Sequence, residues 1–226
     1  VASVSGKGLF ISIEGPDGAG KTTQARILLE KLKSMGLQAL LTREPGGTSI
    51  GEEVRKILLN PYFQEMTVSC EAFLYCAARS QLVSQVIRPS LEKGIIVISD
   101  RFVDSSIVYQ GYAGGENLEM IRELNLWATG GLKPDKTFLL DLQAKKGLQR
   151  LEGKNKKEGS PGKDRMEQKD PGFHSRVREG FLQLARRDPQ RFQLIDAEKP
   201  PEEVHQCIWE QVKSLLRDKK IAIIYE

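Results

Sequence analysis

Gly15-Pro16-Asp17-Gly18-Ala19-Gly20-Lys21-Thr22 follows the pattern G-x-x-x-x-G-K-[ST], and Thr23 adds a second hydroxyl. The spacing has a chemical purpose. Glycines let successive backbone N–H groups turn inward onto phosphate oxygens, and the start of the following helix adds positive potential. Lys21 can then reach the terminal phosphates, while the Thr22 hydroxyl suits Mg²⁺. Residues 15–23 therefore read as a nucleotide phosphate site. A second charged pair, Asp100-Arg101, closes the apolar run Ile95–Ile98. A carboxylate at such a strand end can approach the same metal, and the guanidinium beside it adds a phosphate ligand. Asp141 after Phe138–Leu140 has the same form and competes for the metal role, with Asp100 preferred because of Arg101.

These groups need a scaffold that brings them to one rim. Apolar runs predict strands at Gly8–Glu14, Leu37–Thr42, Ile95–Asp100, Lys136–Leu142 and Phe192–Asp196. Helical spacing predicts helices over Lys21–Met35, Thr48–Leu59, Thr67–Leu91, Asn117–Thr129, Phe173–Asp188 and Pro201–Arg217, with a short one ending at Leu148–Leu151. Strands alternating with helices mean an α/β fold with a parallel sheet covered on both faces. No linker interrupts the chain, so residues 1–226 read as one domain. Its polar excursion, Glu152–Pro171, is expected as a mobile surface loop, and the tail 218–226 has no clear place.

Composition narrows the classes further. Lys and Arg number 34 against 30 Asp and Glu, a net charge of +4 that is too small to argue for nucleic acid. No apolar run approaches the roughly 20 residues of a membrane span, and no signal peptide is legible at the start. Three cysteines without a C-x-x-C pattern suggest a reduced, cytoplasmic protein, and two histidines give too few ligands for zinc. Asn155-Lys156-Lys157-Glu158 resembles a guanine-binding N-K-x-D, but it ends in Glu within a polar stretch, so guanine specificity is rejected.

Three further segments make the pattern specific: Thr42-Arg-Glu-Pro-Gly-Gly-Thr48, Tyr75-Cys-Ala-Ala-Arg79, and Asp100-Arg-Phe-Val-Asp-Ser-Ser-Ile-Val-Tyr-Gln-Gly111. With the phosphate loop, in this order, they resemble the thymidylate kinases of bacterial type over about Leu9–Leu216. The resemblance implies the P-loop kinase fold with a five-stranded parallel sheet, a mobile LID, Mg²⁺-ATP as donor, dTMP as acceptor and a homodimer. It assigns Gly15 to Thr23 to ATP, Thr22 and Asp100 to the metal, and Asp17 to a bridge toward the acceptor phosphate. Arg43 would grip that phosphate and Arg101 would stand between acceptor and transferred group, roles suited to a planar guanidinium that stays charged. Tyr75 would stack on thymine, Arg79 would contact base and phosphate, and Ser106 and Gln110 would bond the base edge. Tyr109 would pack under the sugar and crowd a ribose 2′-hydroxyl. Phe102 reads as core, and Glu44–Pro45 matches a position where a cis peptide occurs.

Between Lys145 and Arg165 there are eight basic residues against three acidic ones. A solvated charge run is the ordinary reading, and the run lacks the interleaved aromatics of a nucleic-acid surface. In the kinases this chain resembles, however, the LID supplies a cation when the phosphate loop has no arginine, as here. The expected basic cluster is thinned: Glu152 falls where a base is common, and Lys154–Gly162 reads as an insertion. Arg150 is the first choice for the cation, worth roughly 10³–10⁵ in rate in related transfers, with Arg165 and Lys154 next. Asp164 and Glu167 match LID positions near the sugar. The expected function is phosphoryl transfer from ATP to dTMP. The alternatives are a kinase for dUMP or thymidine and, more remotely, an ATPase that binds nucleic acid.

Overall fold

The computed structural model describes residues 8–158, 162–219 and 221, with the backbone alone for residues 154–158. Five strands, β1 (Phe10–Glu14), β2 (Ala39–Arg43), β3 (Ile96–Asp100), β4 (Lys136–Asp141) and β5 (Phe192–Asp196), form one parallel sheet in the order β2-β3-β1-β4-β5. Side chains alternate across it. Ile11, Ile13, Ile96, Ile98, Phe138 and Leu140 enter a core with α1 (Lys21–Ser34) and α9 (Pro201–Asp218). Phe10, Val97 and Leu139 point the other way, into two cores that also hold Leu82, Phe102, Val108 and Phe181. Both faces are covered, which is why the strands read as continuous apolar runs.

The helices follow the expected boundaries closely. Thr48 caps α2 (Ser49–Leu59) through the Gly51 N–H at 3.0 Å. The long helix expected over Thr67–Leu91 is α3 (Val68–Leu82), a π-helical stretch Val83–Ile87 and α4 (Arg88–Glu92) in succession. Pro89 has no N–H to donate, and the looser register falls just before it. Asn117 caps α6 (Leu118–Thr129) and Asp170 caps α8 (Pro171–Arg187).

One region has no element assigned from the sequence, and another departs from expectation. Residues 103–113 form α5 (Val103–Ser106) and a π-helical stretch Ile107–Ala113, although β-branched residues and Gly111 give them weak helix propensity. Burial of Ile107, Val108 and Tyr109 outweighs that weakness. The polar excursion departs from the expected surface loop. The helix does not stop at Leu151: α7 runs Ala144–Glu158. Nor is the segment up to Pro171 a surface loop throughout, because Arg165 is fully buried, its Nε bonded to the Leu58 carbonyl at 2.8 Å and its guanidinium 2.5 Å from Glu71. Of the tail, Ile221 packs against the α1–α9 core. Residues 220 and 222–226, and with them most of the tail, lie outside the described residues, as does the Lys154 side chain.

Candidate active site

The carboxyl ends of β1, β2 and β3 lie side by side, the register pairing Asp100 with both Ile13 and Arg43. Parallel sheets place ligands at this rim. A cavity of about 970 Å³ opens over it, lined among others by Asp17, Gly18, Gly20, Lys21, Thr22, Thr23, Arg43, Tyr75, Arg79, Asp100 and Arg101. Ser106, Tyr109, Gln110, Arg150, Asp164 and Glu167 line it as well. Gly15, Pro16 and Ala19 stand behind this surface. The Gly15 and Pro16 carbonyls accept from Arg101 at 3.2 Å and Lys21 at 2.7 Å, and Ala19 packs in the core.

At the phosphate loop, burial and then Arg101 push the Lys21 ammonium down to about 8, against the pull of Asp17, Asp100 and Glu14. The Thr22 hydroxyl donates to Asp100 at 2.5 Å. Asp141, the competing carboxylate, is held by Arg178 through two bonds of 2.7 and 2.8 Å, so Asp100 is the one that meets the loop. A hydroxyl and one carboxylate at the mouth of a phosphate cradle suit Mg²⁺, which takes few protein oxygens and completes its shell with water and phosphate. The described residues hold no cluster of three or more His, Cys, Asp or Glu that could hold a metal ion.

The centre of the cavity is built around Arg101, which carries a left-handed backbone at φ 72°. Such a conformation is costly without glycine and persists only when its surroundings hold it. Its N–H bonds the Ile13 carbonyl at 3.0 Å, its carbonyl accepts from Ser99 at 2.6 Å, and the next N–H reaches Glu14 at 2.7 Å. The guanidinium is thereby turned back over the phosphate loop, where it pairs with Asp17 and reaches Ser105 at 3.1 Å and the Tyr109 hydroxyl at 3.2 Å. Tyr109 in turn donates to Asp17 at 2.9 Å. Burial alone would raise the Asp17 carboxyl, but Arg101, Lys21 and Tyr109 hold it below its ordinary value.

The opposite wall is densely bonded. Arg79 uses all five of its N–H donors: two on Glu44, two on Ser106 and Asn125, and one on the Phe102 carbonyl. A direct contact from Arg79 to a ligand would have to displace one of these partners. Glu44 precedes the cis peptide to Pro45, and Phe102 is core, packed edge-on against Phe10 at 5.0 Å. Gln110 donates to Glu71 at 2.6 Å, which fixes its amide, and among the described residues its buried oxygen has no partner. The Asp164 carboxylate accepts from the N–H groups of Met166 and Glu167 at 2.9 and 2.8 Å, while burial raises its pKa. Arg43 is half-exposed and paired with Glu52 at 3.0 Å.

Arg150 lines the cavity and donates to the Ala197 carbonyl at 3.0 Å. Arg165 does not serve there: its burial against Glu71 removes it from the phosphates. Sequence reasoning also missed several groups. Arg55, from α2, lines the cavity and donates to the Pro45 carbonyl at 2.9 Å. Its three-residue spacing from Glu52 puts the two on one helix face, and it is the fold that brings Glu52 to Arg43. His174 is buried with Nδ1 3.8 Å from the Asp17 carboxylate, and nothing in the sequence pointed to it. Glu14 accepts from Ser105 and Phe102 beneath Arg101.

Comparison with known proteins agrees with this geometry. Residues 13–208 match the family described as thymidylate kinase. The thymidylate kinase of Deinococcus radiodurans is 48% identical over 206 residues, covering 91% of this chain and 97% of that protein. That of Exiguobacterium sibiricum is 45% identical over 213 residues, covering 94% and 98%. The crystal structure of thymidylate kinase from Ehrlichia chaffeensis superposes with a TM-score of 0.72 at 32% identity, covering 92% of this chain and 99% of that one. With its phosphate loop, five-stranded parallel sheet and arginine-lined cavity, this chain belongs to the thymidylate kinase family.

Proposed function

We propose that ATP lies on residues 15–23 and dTMP on the wall formed by Arg43, Tyr75, Arg79, Ser106, Tyr109 and Gln110, with Asp17 and Arg101 between them. The reaction is transfer of the terminal phosphoryl group of ATP to dTMP, giving dTDP and ADP. What carries this reading is one cavity running unbroken from Lys21 and Thr22, past Arg101, to Gln110.

The chemistry asks little of a base, because a phosphate monoester dianion is already a competent nucleophile. Catalysis is positioning and charge. Lys21 and the loop amides hold the donor phosphates, and Arg101 faces the transferred group from a conformation its neighbours enforce. Arg150 adds positive charge from α7. Thr22 and Asp100 would hold Mg²⁺, which when bound neutralises charge on the donor phosphates. Arg43 grips the acceptor phosphate and Asp17 orients it. Arg79 acts chiefly by fixing Glu44, Ser106 and the Phe102 carbonyl.

Base choice follows from Gln110. Its free oxygen accepts from a ring N–H, such as N3–H of thymine, and would face a lone pair on the cytosine N3. Tyr75 stacks on the ring, Tyr109 crowds a 2′-hydroxyl, and Asp164 and Glu167 approach the sugar. We read residues 1–226 as one domain working in the cytoplasm as a homodimer. Exposed Phe73 on α3 and Leu126 and Trp127 on the adjoining α6 support the dimer, which light scattering would test. Among the described residues no helix is long and apolar enough to cross a membrane.

The deciding assay is ADP formation from Mg²⁺-ATP with dTMP, dUMP, dCMP, dGMP, UMP and thymidine offered separately. Strong dependence on dTMP, lost in Arg43→Ala, is expected. Slow hydrolysis indifferent to every acceptor would overturn the reading.

A further inference from the structure

The phosphate loop and α7 meet backbone to backbone. A Cβ added to Gly147 would stand 2.2 Å from the Asp17 carbonyl oxygen, and one added to Gly18 would stand 2.2 Å from the Gly147 carbonyl oxygen. Both obstacles are main-chain atoms, so no side-chain rotation could relieve the clash. Arg150 follows Gly147 by three residues, on the same side of the helix, and it lines the cavity. The helix as such gains nothing from a glycine there, since glycine is among the poorest helix formers. Gly153, on the same helix, meets nothing within 4 Å among the described residues and serves as the contrast.

We infer that Gly147 is a positioning residue for phosphoryl transfer: its bare Cα lets α7 rest on the Asp17–Gly18 peptide and so sets Arg150 over the donor phosphates. The touching atom on the loop belongs to Asp17, whose carboxylate pairs with Arg101. The contact therefore joins the helix that carries one phosphate cation to the residue that orients the other. An alanine at 147 would lift the first turn of α7 away from the loop. Arg150 would then be displaced although its side chain is untouched.

The inference rests on the kinase reading and on Arg150 as the donor-side cation. The test measures kcat, both KM values, melting temperature and dTMP binding for Gly147→Ala, Gly153→Ala, Arg150→Ala and the Gly147→Ala/Arg150→Ala double variant. Gly147→Ala should lower kcat about 10- to 100-fold, with the KM for dTMP within about twofold, while Gly153→Ala matches the parent. Because Gly147 acts through Arg150, the double variant should be no slower than Arg150→Ala alone. A parental kcat in Gly147→Ala, or losses that multiply in the double variant, would overturn the inference alone. A parental kcat in Arg150→Ala would sink the Arg150 assignment and this inference with it. Should Gly147→Ala fail to fold, hydrogen exchange of the unaltered chain decides. Amides of residues 144–151 should slow when ADP fills the loop, and unchanged exchange overturns the proposal.

Discussion

The two sides of the cavity are built on opposite plans. On the side proposed for dTMP most charged and polar groups are bonded to one another: Arg79 makes five hydrogen bonds to four residues, and Gln110, Glu71 and Arg165 form a buried chain. On the side proposed for ATP, among the described residues, the cations hydrogen-bond backbone carbonyls, Lys21 that of Pro16 and Arg150 that of Ala197. A carbonyl is a weaker partner for a cation than a phosphate, so these groups can turn to the ligand at little cost. On the proposed reading the acceptor side would be a preformed mould that selects, and the donor side a set of charges ready to be redirected. Arg101 belongs to both, held by Asp17 and Tyr109 where the two parts of the cavity meet.

This division predicts how substitutions separate. Arg101→Ala should have the largest effect, a fall in kcat on the order of 10⁴, because it removes the central charge and releases Asp17 and Tyr109 together. Arg101→Lys should recover little, since an ammonium cannot bond Gly15, Ser105, Asp17 and Tyr109 from one plane. Arg150→Ala should cost kcat about 10³ with an unchanged melting temperature. A stability loss there, or a near-normal kcat, would erase the contrast between the two sides.

Arg79→Ala should behave in the reverse way. Glu44 would be left buried with its charge partner gone, a loss of about 3–5 kcal/mol in stability. Urea unfolding should show it directly, and kcat measured well below the melting temperature should fall much less than in Arg150→Ala. If Arg79→Ala kept its stability and lost turnover instead, the dTMP side would not be the rigid member of the pair.

The same contrast explains what could be read from the sequence. The phosphate loop was legible because one contiguous run supplies backbone, lysine and hydroxyl together. The five strands were legible because burial on both faces leaves unbroken apolar stretches. The π-helical stretch Ile107–Ala113 was not, since its local preferences oppose helix and only burial of Val108 and Tyr109 overrides them. Arg165, a candidate cation behind Arg150, is withdrawn by burial that the sequence does not reveal, because its partners Leu58 and Glu71 lie far away in the chain and the surrounding composition resembles a solvated run. His174 and Gly147 are close to Asp17 through folding alone. Function was written locally, while the parts that hold it in place were written as distant pairs.

Gln110 offers a finer probe of the mould. Gln110→Leu keeps the bulk but removes the free oxygen, and should raise the KM for dTMP by about 10- to 100-fold, the worth of one buried hydrogen bond. It should also narrow the gap between dTMP and dCMP, since the lone pair that repels cytosine N3 is gone. An unchanged ratio of kcat/KM for the two would remove Gln110 from base selection.

The smallest step concerns Glu14, which lies beneath both sides. Burial, and then Asp104, push its carboxyl up to about 8, against the Ser105 hydroxyl, Arg101 and the Phe102 N–H; Lys21 and Arg79 also feel its charge. An unfolded glutamate titrates at 4.5. Between these values the folded chain keeps a proton that the unfolded chain has lost, so stability falls as pH rises through the window and is level beyond both ends. The slope from this one group is at most about 1.4 kcal/mol per pH unit. Urea titrations from about pH 6 to about pH 9 on the parent and Glu14→Gln isolate it. The parent should lose stability relative to the glutamine variant up to about pH 8 and then run parallel to it. Parallel curves throughout would mean that Glu14 is ionised in the folded chain. Arg101 would then be held in its left-handed turn by a full charge rather than by hydrogen bonds to a neutral acid.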